Sequence, residues 1–149
     1  MEELLIIGDV HASETNTKFA QYQSIIDLYP NCHSIQVGDF GFHWAHQKHM
    51  AEIDSTKHRV NFGNHDCTDY LHSPHSTGNY NYFPTWKLCT FRGASSIDRG
   101  SRIEGISWWR DEEMSYAELQ DGIDFIIANK PDIIVSLSLI HISEPTRPY

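Results

Sequence analysis

Three short apolar runs end in glycine, and each glycine opens a phrase of polar, ligand-bearing residues. The phrases are Gly8-Asp9-Val10-His11, Gly38-Asp39-Phe40-Gly41 and Gly63-Asn64-His65-Asp66. Continuous apolar runs such as Leu4-Leu5-Ile6-Ile7 are how strands covered on both faces of a parallel sheet read. Residues 34–37 and 58–62 are expected to form the next two strands. Between the first two, Phe19, Tyr22, Ile25, Ile26 and Tyr29 recur at helical spacing. Ser13 or Thr15 can cap that helix, and Pro30 stops it. A short helix is expected within residues 44–54. Strand, helix, strand, helix, strand is the alternation of an α/β fold. Ligands of such sheets gather beyond the carboxyl ends of the strands, which is where all three phrases fall.

The second half is less regular. Residues 67–84 read as a long loop rich in Tyr, Asn, His, Pro and Ser, and residues 90–92 and 106–108 as short strands. Ser115-Tyr116-Ala117-Glu118 has the form of a capping box. Leu119, Ile123, Ile126 and Ile127 then give a helix face that Pro131 ends, and residues 132–135 begin another buried strand.

Composition narrows the function. A formal charge of −9 over 149 residues disfavours sequence-independent binding to a nucleic-acid backbone. It does not disfavour a phosphorylated small molecule or nucleotide, because bound divalent cations invert the field of a carboxylate-rich cleft. Cys32, Cys67 and Cys89 form no C-x-x-C pair, so a reducing, cytoplasmic setting is expected and a disulfide framework is not. No secretory signal and no membrane span are read, the apolar stretch over 125–142 being broken by Asn129, Lys130, Pro131 and Asp132.

The chemistry of the phrases is specific. Asp9 offers a hard carboxylate oxygen, and His11, two residues on, points to the same side and holds one cation with it if the backbone there stays extended. Asp39 can bridge two cations, and Asn64 offers an amide oxygen to the second. Mixed oxygen and imidazole donors suit Mn²⁺, Fe or Zn²⁺, without choosing among them. Cations held there would activate water and share the charge of a phosphoryl group. His65 is placed to protonate a leaving oxygen, and Asp66 to orient His65.

With this order and spacing the chain resembles the calcineurin-like metallophosphoesterases, in particular their small bacterial and phage members. The likeness runs from Leu4 to Ser136. It includes Arg92-Gly93-Ala94-Ser95-Ser96-Ile97-Asp98-Arg99 and Trp108-Trp109-Arg110-Asp111-Glu112-Glu113. It implies metal ligation by Asp9, His11, Asp39 and Asn64, catalysis by His65, two divalent metal ions, and a layered sandwich with helices flanking mixed sheets. It implies a phosphatase or phosphodiesterase, with this truncated chain itself expected to be inactive or weakly active; the alternative is a metal-stabilised module that binds a phosphorylated ligand without cleaving it.

Two departures stand out. Gly41-Phe42-His43-Trp44 lacks the arginine that protein phosphatases of this superfamily carry after the second motif. The family's further metal-binding histidine follows a strand end like Ile134-Val135-Ser136, but here Leu137 stands next. Residues 137–149 resemble the translated read-through of a sequencing adapter. Residues 1–136 are therefore expected to be the first part of the domain, with its second half incomplete, the remainder non-native, and the second metal weakly held.

Other candidates read as ordinary structure. His43, His46 and His49 suit a solvated helix face, and His72 and His75 a loop surface. Arg92, Arg99 and Arg102 read as surface charge that could grip phosphate. Trp108 and Trp109 suit packing, one inward and one at a rim. The run 111–113 reads as acid favouring the start of the following helix.

Overall fold

A computed structural model describes residues 2–12, 16–43, 47–96 and 98–137. The expected caps at Ser13 and Thr15, residues 44–46 with His46, and the tail from residue 138 lie outside the described residues.

The described chain is a mixed α/β structure with two three-stranded sheets. Strands β1 (Leu4–Ile7), β2 (His33–Val37) and β3 (His58–Asn61) form the first, all parallel and in that order. Strands β4 (Tyr80–Phe83), β5 (Leu88–Phe91) and β6 (Ile133–Ser136) form the second, β4 antiparallel and β6 parallel to β5. Helix α1 (Asn16–Leu28) links β1 to β2, a single turn α2 (Gln47–Met50) precedes β3, and α3 (Tyr116–Asn129) leads into β6.

Strand alternation sorts the side chains into layers. Phe19, Tyr22 and Ile26 of α1 join Phe40, Phe42, Val60 and Phe62 in one core. On the opposite face of the first sheet, Ile35 meets Leu88 of β5 and Val135 of β6. The outer face of the second sheet carries α3, where Phe125 packs on Tyr80 and Gly122 lies over the Phe91 ring. The order is thus α1, first sheet, second sheet, α3. At the open edges Ile6, Ile133 and Ile134 are about half exposed.

Apart from 106–108 the expected strands and long helices are found, and the capping box at Ser115 and Glu118 is formed on both arms; β6, expected to be buried, lies at a sheet edge with Val135 alone buried. Three other expectations are corrected. Residues 80–83, read as loop, pair with β5 across residues 84–87, because Tyr80 and Phe83 gain rings to pack against. Residues 106–108, read as a strand, form a turn closed by one bridge between Glu104 and Trp108. Ile127, read into the buried face of α3, is exposed, because the face is set by Gly122 against Phe91. The three cysteines are free and buried. Among the described residues no helix is long and apolar enough to cross a membrane.

Candidate metal centre

The three phrases leave the carboxyl ends of β1, β2 and β3, and the backbone laces them together there. His11 N–H donates to the Asp39 carbonyl at 2.9 Å and Ala12 N–H to that of Phe40 at 2.6 Å. Gly38 turns the chain with φ of 80°, a conformation open to glycine at little cost. Gly63 is needed for a different reason: a side chain there would run into the Asp39 carboxylate and Leu137.

Backbone conformation marks the same place. Among the described residues, the non-glycine ones with left-handed φ are Asp9 at 45°, His11 at 48°, Asp39 at 51°, Lys87 and Lys130. The two lysines end helical turns. The other three are the first three expected ligands, and at Asp9 and His11 this replaces the extended backbone expected there. Left-handed backbone at ordinary residues costs free energy and gathers at functional sites.

The side chains then converge. Asp9 Oδ1 lies 2.6 Å from His11 Nε2, which is 4.0 Å from Asp39 Oδ2. Ligand atoms of His11, Asp39 and His65 all lie within 4.8 Å of one another, and the His11 and His65 rings meet edge to face at 4.6 Å. Asp39 Oδ1 accepts the His65 backbone N–H at 3.0 Å, fixing the carboxylate between the two histidines. Burial raises the Asp39 carboxyl above its usual range, against the pull of that N–H and of both imidazoles. Burial holds His65 below the usual imidazole range, and Arg102 adds to this while Asp39 opposes it. A carboxylate between two imidazoles, crowded around one point, is a donor set that fits a divalent cation of the Mn²⁺, Fe or Zn²⁺ kind.

Asn64 stands next to His65 with its amide nitrogen 3.0 Å from Ser96 Oγ. His11, Asp39 and His65 are thus brought together, Asp9 reaches them through His11, and Asn64 joins through the loop it shares with His65.

Asp66 does something other than expected. Its carboxylate accepts the N–H of Phe42 at 2.7 Å and of Gly63 at 2.8 Å, not the His65 ring. It ties the second loop to the third from a fully buried position, and burial pushes its carboxyl up to about 7 despite those bonds. The group that does meet His65 is Arg102, whose Nη2 lies 2.9 Å from His65 Nε2 while its Nε is 2.9 Å from Asp98. Arginine only donates, so Nε2 accepts and the neutral ring carries its proton on Nδ1.

Other readings change in the same way. Arg92 is buried, bound to Asn79 Oδ1 and to the carbonyls of Asp111 and Glu112. His75 is buried, with Nε2 at 2.9 Å from the Ile53 carbonyl. The acidic run does not serve the helix start: Asp111 accepts from Thr68, and Glu112 and Glu113 take Arg99. Trp109 is buried and Trp108 lies at the rim under Arg99, as expected.

Comparison with family models, curated proteins and solved structures returns no match. What points to a function is therefore the motif set and this geometry.

Proposed function

We propose that the chain is a metallophosphoesterase-type hydrolase, using divalent cations held by Asp9, His11, Asp39 and Asn64 to cleave a phosphorylated small molecule or nucleotide. The observation that carries this reading is the convergence of His11, Asp39 and His65 donor atoms, built on a backbone forced left-handed at Asp9, His11 and Asp39. The helix–sheet–sheet–helix layering, with the site at the carboxyl edge of the first sheet, fits the sandwich of that family.

Bound cations would supply an activated water and neutralise phosphoryl charge. The chain's own contribution is positional. Asp39, anchored by the His65 N–H, keeps one oxygen toward His11. His65 lies beside the cluster with Nε2 held by Arg102; once it has taken up a proton and released Arg102, the imidazolium would give that proton to the leaving oxygen. Arg102, held by Asp98, the Ser107 carbonyl and His65, is the guanidinium beside the cluster that a phosphate oxygen would engage, in a chain that lacks the arginine after the second motif.

Hydrolysis of bis-p-nitrophenyl phosphate with added Mn²⁺ tests the reading. Turnover that needs the cation and falls by about 10²–10⁴-fold in His65→Ala supports it; cation-dependent turnover unchanged in that variant rejects His65 as the acid. For this chain the non-cleaving alternative has support in Leu137, the first residue of the stretch expected to be non-native, whose apolar side chain lies against Gly38 and Gly63 beside Asp39. Saturable Mn²⁺ binding without turnover of monoester or diester would support that alternative.

A further inference from the structure

Among the stretches of sequence that the proposed site does not use, 92–99 and 108–113 meet in one buried network, and it ends on Asn64. Glu112 has no exposed side-chain surface. Its Oε1 accepts the Ser96 backbone N–H at 2.7 Å and Arg99 Nε at 3.0 Å. Its Oε2 accepts the Ser96 hydroxyl at 2.9 Å. Ser96 Oγ in turn lies 3.0 Å from Asn64 Nδ2.

Proton counting gives this chain a direction. A hydroxyl has one proton, and a carboxylate paired with arginine only accepts. The Ser96 proton therefore goes to Glu112, and only lone pairs remain toward Asn64. The atom of Asn64 facing them must be the NH₂. Its Oδ1, the only atom of the amide able to ligate a cation, is then turned the other way.

We infer that Ser96 and Glu112 are positioning residues that fix the amide of Asn64 with its oxygen presented to the metal centre. The inference rests on the reading of Asn64 as a cation ligand. A purely structural role for Glu112 accounts for the bonds from Arg99 and the Ser96 N–H. It does not account for the hydroxyl, since the backbone tie between 96 and 112 holds without it. Partners behind a ligand that set its orientation commonly matter about as much as 10–100-fold in metal affinity.

The test is titration of the whole chain with Mn²⁺ by calorimetry, together with the Asn64 side-chain NH₂ signals in cation-free protein by NMR. Ser96→Ala keeps the backbone tie and removes only the relay. It is expected to weaken Mn²⁺ binding by about 10–100-fold and to shift the Asn64 NH₂ pair. Asn64→Ala should weaken binding at least as much, and Ser96→Ala added to it should cost nothing further. In Glu112→Gln the amide oxygen stays with the Arg99 and Ser96 N–H donors, so its NH₂ faces Ser96 Oγ. That frees the hydroxyl proton, so proton counting no longer fixes the Asn64 amide, and Mn²⁺ affinity is expected to fall by no more than in Ser96→Ala. If Asn64→Ala weakens binding and Ser96→Ala does not, the relay is wrong. If Asn64→Ala binds as wild type, the assignment of Asn64 as a ligand fails instead. An Asn64 NH₂ pair unmoved by Ser96→Ala overturns the relay whatever the cation does.

Discussion

Gly122 sits in the middle of α3, where glycine is about 1 kcal/mol worse than alanine. The reason it is there is Phe91. A Cβ on Gly122 would lie 3.0 Å from Phe91 Cε2, 2.9 Å from Cε1 and closer still to Cζ, where carbon atoms prefer about 3.5–4.0 Å. Phe91 is 1% exposed and flanked by Tyr80, so the ring has little room to withdraw. Overpacking of this kind costs about 1–3 kcal/mol. Set against the helix-propensity gain of about 1 kcal/mol, Gly122→Ala should be neutral to about 2 kcal/mol destabilising. Phe91→Leu removes Cε1, Cε2 and Cζ, the three crowding atoms. On that background Gly122→Ala should stabilise by about 1 kcal/mol, because only the propensity gain remains. The change of sign is a coupling of about 1–3 kcal/mol. Urea unfolding of the four proteins, followed by far-UV circular dichroism, measures it. Stabilisation of about 1 kcal/mol by Gly122→Ala in both backgrounds would refute the packing of α3 on the second sheet.

Further outcomes are expected. Arg92→Leu should cost about 3–5 kcal/mol in urea unfolding, since it strands buried acceptors at Asn79, Asp111 and Glu112; a loss under about 1 kcal/mol would place Arg92 at the surface after all. Burial holds His58 below the usual imidazole range. A depressed folded pKa means the stabilisation is complete above about pH 6.5 and is lost as pH falls through the lower folded value. His58→Gln should therefore flatten the acid limb of stability between neutral and mildly acidic pH, and an unchanged limb would contradict this. In cation-free protein the His65 ring should show ¹⁵N shifts of the Nδ1–H tautomer, and Arg102→Met should remove that preference; an Nε2–H ring in wild type rules out the Arg102 contact.

The first sheet was legible because β1 is a continuous apolar run and because all three strands lead into a glycine followed by a ligand-bearing phrase, a pattern that needs no partner to be recognised. The ligand phrases were legible for the same reason: each lies within four consecutive residues. What escaped depends on residues far apart in sequence. Arg92 reads as surface charge until Asp111 and Glu112 come round to it. His75 reads as loop until Ile53 offers its carbonyl. Tyr80–Phe83 follows Gly78 and Asn79, carries Asn81 and reads as loop, and it becomes a strand only through pairing with β5. Asp66 stands next to His65 in sequence, yet the turn at Gly63 sends its carboxylate to the Phe42 and Gly63 N–H groups. The left-handed backbone at Asp9, His11 and Asp39 has no sequence signature beyond residue types that tolerate it.

The convergence of His11, Asp39 and His65 is tested most directly by a Zn²⁺ titration of histidine-labelled protein, read by NMR beside an Asp39→Ala control. The rings of His11 and His65 should shift together at substoichiometric to equimolar Zn²⁺, ahead of the other histidines, and the control should lose that response. Zn²⁺ shifts that fall first on other histidines, or that persist at His11 and His65 without Asp39, would contradict a shared centre.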